Sequence, residues 1–334
     1  MADSNNGEKL LPYLIKGASY AFAGSLALCA IGTLAIRRKL KPKNSWRNNK
    51  TLEGLTVLIT GGNSGLGAAA AKDLAKRNAN VIIACRTRDK AMAVIKEIKT
   101  EFPQSPEIVY SHLDLTSLAK TKEFVDDLNV DKVDILINNA AVWGSPDPES
   151  GDGIEHTFAI NYLAPFYLTK LMIQKYSLQR VLNVSSGLYF QGKIDPNDFE
   201  NLTRVPATLD KDVYRSLYST SKLAQIYHSK ELAKRYPEIK SFSLHPGLCY
   251  TDLARYVKPQ SRILSILGRF LPLIIRTPAE GAQTYVFCCV EDELESGGYY
   301  GDCESESLKS VACDSAIQEK LWEFSEELIQ SKTS

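Results

Sequence analysis

Short strand-like and helical segments alternate through most of this 334-residue chain, and the first of them sets the pattern. The β-branched run Thr56–Thr60 leads directly into Gly61-Gly62-Asn63-Ser64-Gly65-Leu66-Gly67, and an alanine-rich helical segment follows to Asn78. A strand, a glycine turn and a helix can bind a dinucleotide phosphate, because glycines admit the pyrophosphate and the helix N-terminus offers free N–H groups. The sequence therefore predicts a phosphate-binding turn, with a plain tight turn as the alternative.

The alternation continues towards the C-terminus, and each later strand-like run ends in polar residues. These runs are Val81–Ala84, Ile108–Leu113, Val133–Ile137, Arg180–Val184 and Lys240–Leu244, with helical runs between them that include Ile154–Gln174 and Ser216–Arg235. Such a pattern predicts an α/β fold, a doubly wound parallel sheet of the Rossmann type in a single domain over residues 52–334. Ligands of such sheets bind at the carboxyl ends of the strands, where the polar clusters fall.

Tyr218 and Lys222 lie four residues apart in one of the helical runs. This spacing puts both side chains on one helix face, about 5–6 Å apart at Cβ. A free tyrosine, with a pKa of about 10, is a poor base at neutral pH, but a nearby ammonium group favours the phenolate. Tyr218 is then a candidate general acid and base, and the alternative is a half-exposed helix face.

The end of the second strand-like run indicates which nucleotide the site prefers. An acidic residue there would bind the ribose 2′-hydroxyl of NAD, whereas basic groups suit the 2′-phosphate of NADP. Cys85 and Arg86 stand at this position, and Arg88 follows. We therefore expect NADP(H), with Arg86 as the main phosphate ligand and Arg88 at most an accessory one. The alternative is that both arginines are solvated at a helix start.

An uncharged run of twenty residues, Gly17–Ile36, precedes this domain. Twenty helical residues match the ~30 Å hydrocarbon core of a bilayer, so the run predicts a transmembrane helix. A basic linker at 37–51 follows it, and a tail at 1–16 with balanced charges precedes it. The positive-inside rule then places the catalytic domain of this single-pass protein on the cytosolic side. We expect the membrane to be the endoplasmic reticulum or another intracellular membrane. A cleaved signal peptide or a buried core helix are the alternatives.

Charge and metal-ligand spacing exclude several classes of function. Forty Lys and Arg against thirty-nine Asp and Glu give a net charge of +1, which offers no overall field for nucleic acid. The four histidines lack metal-ligand spacing, and the seven cysteines include no CxxC pair. We therefore expect no metal site and no nucleic-acid partner, and we expect reduced cysteines facing a cytosolic compartment.

Taken together, the motifs resemble the short-chain dehydrogenase/reductase family over roughly Leu52 to Leu328. The residues that carry the resemblance are the glycine turn, Asn138-Asn139-Ala140, Asn161, Ser186, Tyr218-x-x-x-Lys222 and Pro246-Gly247 with Thr251. More narrowly, Asn161-Tyr162-Leu163, Asn183-Val184-Ser185-Ser186, Thr251-Asp252-Leu253, Glu280-Gly281-Ala282-Gln283-Thr284 and Tyr299-Tyr300 near Asp302-Cys303 look like the membrane-anchored retinol dehydrogenases.

This resemblance implies a catalytic set of Asn161, Ser186, Tyr218 and Lys222. Ser186 would donate a hydrogen bond to the substrate oxygen, with Ser185 as the alternative, and Lys222 would also hold the nicotinamide ribose. Asn161 would hold a water that passes protons to bulk solvent through Lys222, or it is a polar core residue that bonds backbone.

The resemblance also implies the cofactor contacts, from the phosphates through the adenine to the nicotinamide. They are Gly61, Asn63, Ser64, Gly65, Leu66, Gly67, Arg86, Asp114, Leu115, Asn138 or Asn139, Ala140, Tyr218, Lys222, Pro246, Gly247 and Thr251. Two departures from the family pattern stand out: Ala141 replaces a glycine, and Ser186 lies thirty-two residues before Tyr218. The insert that holds 194–212 is expected to border the substrate entrance.

An apolar stretch between Arg262 and Arg276, thirteen residues long, bears on the substrate. It is too short to span a bilayer, so it predicts a lid or interfacial helix beside the substrate, or else an ordinary core helix. With the anchor, it favours a lipophilic alcohol, aldehyde or ketone, of the retinol and retinal type by resemblance, reached from membrane lipid. The alternatives are a steroid or lipid ketoreductase and a catalytically silent nucleotide-binding scaffold. The sequence leaves a homo-oligomer open.

Overall fold

The computed structural model describes residues 46–249, 253 and 275–334. Within them, eight strands form one sheet in the order β3-β2-β1-β4-β5-β6-β7-β8. Neighbouring strands are parallel except for β7 and β8, which form an antiparallel pair. The strands are β1 Thr56–Thr60, β2 Asn80–Cys85, β3 Ile108–His112, β4 Ile135–Asn138, β5 Arg180–Val184, β6 Lys240–His245, β7 Tyr299–Gly301 and β8 Glu304–Ser305.

Seven longer helical elements connect and flank these strands in the described part of the chain. Element α4 is composite: an α-helical turn at His156–Phe158, a π-helical turn at Ala159–Leu163 and an α-helix at Ala164–Lys175. The others are α1 Gly65–Lys76, α2 Arg88–Glu101, α3 Leu118–Asp127, α5 Lys211–Arg235, α6 Pro278–Val290 and α7 Ser315–Thr333. Short 3-10 turns lie at Gly187–Gln191, Phe199–Leu202 and Ser310–Ala312.

Two apolar cores lie on opposite faces of the sheet. On one face, α1, α2 and α6 pack against the strands through small and β-branched side chains. On the other face, α3, α4, α5 and α7 bury larger groups that include Tyr162, Phe166, Tyr227 and Trp322. Burial on both faces explains why the central strands are continuous apolar runs such as Val57-Leu58-Ile59, each of which is 0% exposed.

The predicted doubly wound parallel sheet is confirmed, and strands β1 to β6 fall within two residues of the predicted runs, whereas β7 and β8 were not predicted. The chain adds β2 and β3 on one side of β1 and then returns to place β4 on the other side. The crevice at this reversal, between the carboxyl ends of β1 and β4, is where such sheets bind ligands. Helix α1 ends at Lys76, before the predicted Asn78, because Asn78 takes a left-handed conformation with φ 65° that closes the helix.

The residues just before the first strand pack against the domain. The Trp46 ring meets Phe287 edge to face at 5.6 Å, and its Nε1 donates to Glu291 at 2.7 Å. The last residues of the predicted linker at 37–51 therefore contact α6. Among the described helices, none combines the length and apolar character that a membrane crossing requires. The predicted span at 17–36 lies outside the described residues.

Candidate active site

One cavity of about 1160 Å³ lies at the carboxyl ends of the central strands. It runs from the glycine turn after β1, past the tyrosine and lysine of α5, to apolar side chains at its other end. The predicted cofactor contacts that line it are Gly61, Asn63, Ser64, Gly65, Leu66, Gly67, Arg86, Leu115, Asn139, Ala140, Tyr218, Lys222, Pro246 and Gly247. The structure thus brings most of the predicted site residues together, although they are spread over some 190 positions of the chain.

The glycine turn leaves little room for a side chain at Gly61 or Gly67. Gly61 has φ +67°, and a Cβ on Gly67 would lie 2.5 Å from the Gly61 carbonyl oxygen and 2.6 Å from Asn139 Nδ2. The Asn139 amide holds the turn by donating to the Thr60 carbonyl at 2.7 Å, and Tyr285 donates its hydroxyl to Asn139 Oδ1 at 3.0 Å. The backbone is therefore fixed and bare at the start of α1, which fits a pyrophosphate group.

The two neighbouring asparagines at the end of β4 have different environments. Asn139 lines the cavity, whereas the Asn138 side chain is 2% exposed and points towards α4. There Asn138 Nδ2 donates to Thr169 Oγ1 at 2.9 Å and to Asn183 Oδ1 at 2.8 Å. Asn138 therefore links β4 to α4 and β5 by hydrogen bonds. Of the two asparagines, Asn139 is the one that faces the cavity.

Asp114 was expected near the adenine, but its carboxylate does not line the cavity. It accepts hydrogen bonds from the Thr116 N–H at 3.1 Å and the Thr116 hydroxyl at 2.7 Å, and it pairs with Lys120 at 2.8 Å. Burial would raise the pKa of Asp114, but these partners outweigh it and hold that pKa below its usual range. Leu113, Leu115 and Thr116 line the cavity instead.

Basic residues line the cavity next to the carboxyl end of β2. Arg86 lines it as predicted, together with Thr87 and Lys90. Arg88, which was expected to be at most an accessory ligand, does not line it. Lys90 was missed because it lies in the first turn of α2 beside Arg88, and only the direction of that helix shows which of its basic residues faces the cavity.

Tyr218 is almost fully enclosed within the cavity. It is 5% exposed, and the Trp143 ring stacks on its ring with centroids 5.1 Å apart and an interplanar angle of 20°. Burial raises the pKa of Tyr218 to about 12, although a hydrogen bond with Ser186 opposes the rise. The phenol is therefore neutral at neutral pH and can donate a proton. Trp143 lies two residues beyond the predicted Ala141, and no motif in the sequence indicated it.

Lys222 lies beside Tyr218, but its hydrogen bond goes to the backbone and not to the Tyr218 hydroxyl. Its ammonium group lies 5.6 Å from the centre of the Tyr218 ring and donates to the Val184 carbonyl at 2.7 Å. Because Lys222 is 2% exposed, burial lowers its own pKa to about 7. Desolvation thus shifts the pKa of each group in the direction that favours its neutral form.

The structure separates the two serines that follow β5. Ser185 is 2% exposed and its hydroxyl donates to the Lys222 carbonyl at 2.7 Å, which ties β5 to α5. Ser186 begins the 3-10 turn, where its Oγ accepts from the Leu188 N–H at 3.2 Å, and it shares the hydrogen bond with Tyr218. Ser186 is therefore the serine that can meet the same substrate oxygen as Tyr218.

Asn161 lies in the π-helical turn of α4, is 0% exposed and does not line the cavity. Its Oδ1 accepts from the Val142 N–H at 2.8 Å, and its Nδ2 donates to the Val142 carbonyl at 3.0 Å and to Ser221 Oγ at 3.0 Å. Its own carbonyl accepts from Gln225. The side chain thus bonds backbone and Ser221, as the structural alternative requires, and the water-holding role stays a prediction.

The far end of the cavity is apolar. Pro246 and Gly247 line its middle, and Leu248, which is 58% exposed, stands at its rim. The other apolar side chains there are Val142, Trp143, Leu188, Leu253 and Ile275. Thr251 and most of the apolar stretch between Arg262 and Arg276 lie outside the described residues.

The geometry as a whole can accommodate a dinucleotide and transfer a proton beside it. The bare glycine turn and the basic groups at the end of β2 fit a nucleotide phosphate, and Tyr218 with Ser186 lies further along the same cavity. In the part of the chain that the structure describes, no group of His, Cys, Asp or Glu could hold a metal ion.

The chain is similar to a known protein family and to several named proteins. The short chain dehydrogenase model matches residues 55–195. Mouse retinol dehydrogenase 14 is 35% identical and aligns over 93% of this chain and 98% of its own length. Mouse retinol dehydrogenase 13 is 35% identical over 84% of this chain and 85% of its own, and human retinol dehydrogenase 12 is 33% identical over 85% and 89%.

Solved structures repeat the same fold. An uncharacterised Mycobacterium paratuberculosis protein is 28% identical, with a TM-score of 0.67 over 84% of this chain and 95% of its own. A short chain dehydrogenase from Shigella flexneri, crystallised with NADP, is 21% identical, with a TM-score of 0.57 over 75% of this chain and 98% of its own. At that identity the second likeness concerns the fold alone.

Proposed function

The chain belongs to the short-chain dehydrogenase family, and we propose that it is an NADP(H)-dependent oxidoreductase acting on a lipophilic carbonyl or alcohol of the retinal and retinol type. The observation that carries this proposal is the placement of Tyr218 beside Ser186 in one cavity, between a bare glycine turn and an apolar wall. A nucleotide-binding scaffold would have no use for a buried, neutral phenol at that point.

The proposed chemistry follows from the state of these side chains. The nicotinamide, when bound, supplies the hydride for reduction or accepts it in oxidation. Ser186 donates a hydrogen bond to the substrate oxygen, and Tyr218 gives that oxygen its proton as the carbonyl becomes an alcohol. In the reverse direction Tyr218 takes the proton back. Because burial raises the pKa of Tyr218 to about 12, the phenol is protonated at neutral pH and holds the proton that reduction requires.

The preference for NADP(H) rests on charge at the end of β2. Arg86 and Lys90 line the cavity there, and Thr87 adds a hydroxyl group and an N–H. The 2′-phosphate carries a charge near −2, so two cations and a hydroxyl favour it, whereas a 2′-hydroxyl gains little from them.

The retinoid class rests on the apolar end of the cavity together with the names of the relatives, which are retinol dehydrogenases 12, 13 and 14. Apolar side chains around the rim favour a substrate with a hydrocarbon body. A steroid or another lipid ketone is the second candidate, since the same apolar wall suits both. Access from membrane lipid, through an anchor at 17–36, belongs to the same proposal.

The reaction is tested with NADPH and a panel of retinal, steroid ketones and long-chain aldehydes. We expect Tyr218→Phe to lower kcat by about 10²–10⁴-fold, because the proton donor is lost. Its affinity for NADPH, measured by fluorescence titration, should stay close to that of the wild type. Tyr214→Phe, one turn earlier on α5, is the matched control and should keep full activity. No turnover of any carbonyl by the wild type, with NADPH still bound, would leave the scaffold alternative.

The cofactor preference is tested separately by removing single positive charges. Arg86→Ala and Lys90→Ala should each raise the Kd for NADPH about tenfold, since a charge-assisted phosphate contact contributes about 1.5–3 kcal/mol. The Kd for NADH should not change. Arg88→Ala, on the same helix but away from the cavity, is the control. Equal Kd values of the wild type for NADPH and NADH would contradict the role of these two residues.

A further inference from the structure

The cavity wall beyond β6 consists of two short segments that lie side by side. Residues 246–249 form one, and Ile275 and Arg276 form the other. Cys249 and Arg276 make a parallel β-bridge, and the Arg276 N–H donates to the Leu248 carbonyl at 3.0 Å. This wall faces the middle and the substrate end of the cavity, so its position bears on both ligands of the proposed reaction.

Arg276 is the side chain that packs behind this wall. It is 7% exposed, and its guanidinium group lies so close to Gly247 that a Cβ there would overlap it. Its Nη1 donates to the Pro246 carbonyl at 3.2 Å, and the group forms an ion pair with Asp302, which is 6% exposed. A buried guanidinium needs such an acid, because an unpaired charge at that depth is strongly destabilising.

Asp302 lies in the tight turn of the β7–β8 hairpin. Gly301 and Glu304 pair across it, which leaves Asp302 and Cys303 as a two-residue loop with φ +52° and +57°. Both central residues of such a turn need a left-handed conformation, and Asn-Gly or Asp-Gly is the usual sequence. Aspartate tolerates this conformation, but cysteine does so at a cost. The turn therefore holds Asp302 at a fixed point behind the cavity wall.

A second chain of contacts connects the region of the β7–β8 hairpin with Gly247. Glu306, just after β8, pairs with His245 Nε2 at 3.1 Å, and His245 Nδ1 accepts from the Gly247 N–H at 3.1 Å. Gly247, with φ +75°, is thus held at its amide by His245 and over its Cα by Arg276. His245 pairs with Glu306 and Arg276 pairs with Asp302, and both acids belong to the hairpin region.

We infer that Asp302 is a positioning residue: through Arg276 it fixes Pro246 and Gly247, and with them the wall against which the nicotinamide half of the cofactor and the substrate bind. The inference rests on the proposed function for the identity of those ligands. The contacts themselves join a turn at the sheet edge to the centre of the cavity, although Asp302 does not line it.

The test is Asp302→Asn in the full-length protein. Asparagine has nearly the same shape and also accepts a positive φ, so this change removes the charge without adding backbone strain. We expect the Kd for NADPH and the KM for the carbonyl each to rise about tenfold, because misplacement by a fraction of an ångström is costly at a reacting centre. Arg276→Lys keeps the charge but loses the planar group over Gly247, and should give a smaller rise of about threefold.

Asp134→Asn is the matched control. Asp134 is also buried, at 5% exposure, and accepts from the Thr56 N–H at 2.7 Å at the amino ends of the central strands β1 and β4. It should lower the Tm without changing either constant. If Asp302→Asn and Arg276→Lys lower the Tm but leave the Kd and KM at wild-type values, the pair is merely structural and the inference is overturned. Because the NADPH titration needs no turnover, it decides this point even if no carbonyl substrate is found.

Discussion

At the level of single residues, the site depends on two ionisable side chains that are both removed from water. Burial shifts the pKa of Tyr218 up to about 12 and that of Lys222 down to about 7. Both shifts favour the neutral form, since a charge is poorly solvated at such depth. The protein thus buries a lysine at a cost in stability, which is the pattern expected where a group serves the reaction rather than the fold.

Lys222→Met makes that cost measurable. In the wild type the unfolded lysine, with a pKa near 10.5, binds a proton more readily than the folded one, so folding is penalised. The penalty is full below pH 7 and disappears as the pH rises from about 7 towards 10.5. We expect Lys222→Met to raise the free energy of unfolding by about 2–4 kcal/mol at pH 6, with a smaller gain at pH 9, while abolishing turnover.

Urea denaturation at pH 6 and pH 9 measures this difference. Lys211→Met, an exposed lysine on the same helix, is the control and should change stability by less than about 0.5 kcal/mol at both pH values. A loss of stability in Lys222→Met at pH 6 would mean that the hydrogen bond to the Val184 carbonyl outweighs the burial of the charge.

At the level of secondary-structure elements, Asn161 joins three parts of the site. Its side chain bonds both backbone groups of Val142 after β4, and it bonds Ser221 on α5, whose hydroxyl donates to the Tyr218 carbonyl at 2.8 Å. The π-helical turn of α4 carries this side chain. Since Trp143 follows Val142 and stacks on Tyr218, the asparagine orders both aromatic rings without touching them.

Asn161→Ala is expected to loosen all three elements. It leaves the N–H and the carbonyl of Val142 buried without their partner, at about 1–3 kcal/mol for each group. We expect the free energy of unfolding to fall by about 2–5 kcal/mol, measured by urea denaturation, and kcat to fall with it. Asn197→Ala, an exposed position, is the control. A variant with unchanged stability but no activity would favour the water-holding role instead.

At the level of the whole molecule, the two ends of the cavity differ in the chemistry of the groups that line them. The nucleotide end is bare backbone and positive charge, and the other end is apolar. If the run at 17–36 anchors the chain, the apolar end can receive a substrate that partitions into lipid. We expect the full chain to stay in the membrane pellet after alkaline carbonate washing, and a chain of residues 45–334 to appear in the supernatant.

The shortened chain should keep its NADPH affinity, because Trp46 and the residues after it retain their contacts with α6. Its activity should remain with substrate dispersed in detergent. A full-length chain that carbonate releases would contradict the anchor, and a shortened chain that stays in the pellet would locate membrane binding elsewhere in the protein.

The fold and the participants of the site could be predicted from the sequence because their signals are local. Buried parallel strands are apolar runs, the phosphate turn requires glycines next to a helix start, and Tyr218 and Lys222 share a helix face at a spacing of four. These rules need only neighbouring residues. Strands β1 to β6, the glycine turn and the pair Tyr218 and Lys222 therefore appear where they were expected, whereas β7 and β8 were not predicted and Ser186 was assigned by resemblance.

The rest depends on which way side chains turn after the chain has packed. Asn138 and Asn139 are adjacent and alike in sequence, but the sheet directs one into the core and the other into the cavity. Asp114 bonds Thr116 and Lys120 and does not line the cavity. Lys90 lines the cavity, whereas Arg88 does not. Trp143 stacks on Tyr218 although about 75 positions of the chain separate them. The pKa values of Tyr218 and Lys222 were set by burial, which is a property of the whole fold. Local sequence thus specified the groups and the sheet, whereas long-range packing decided their orientation, partners and charge.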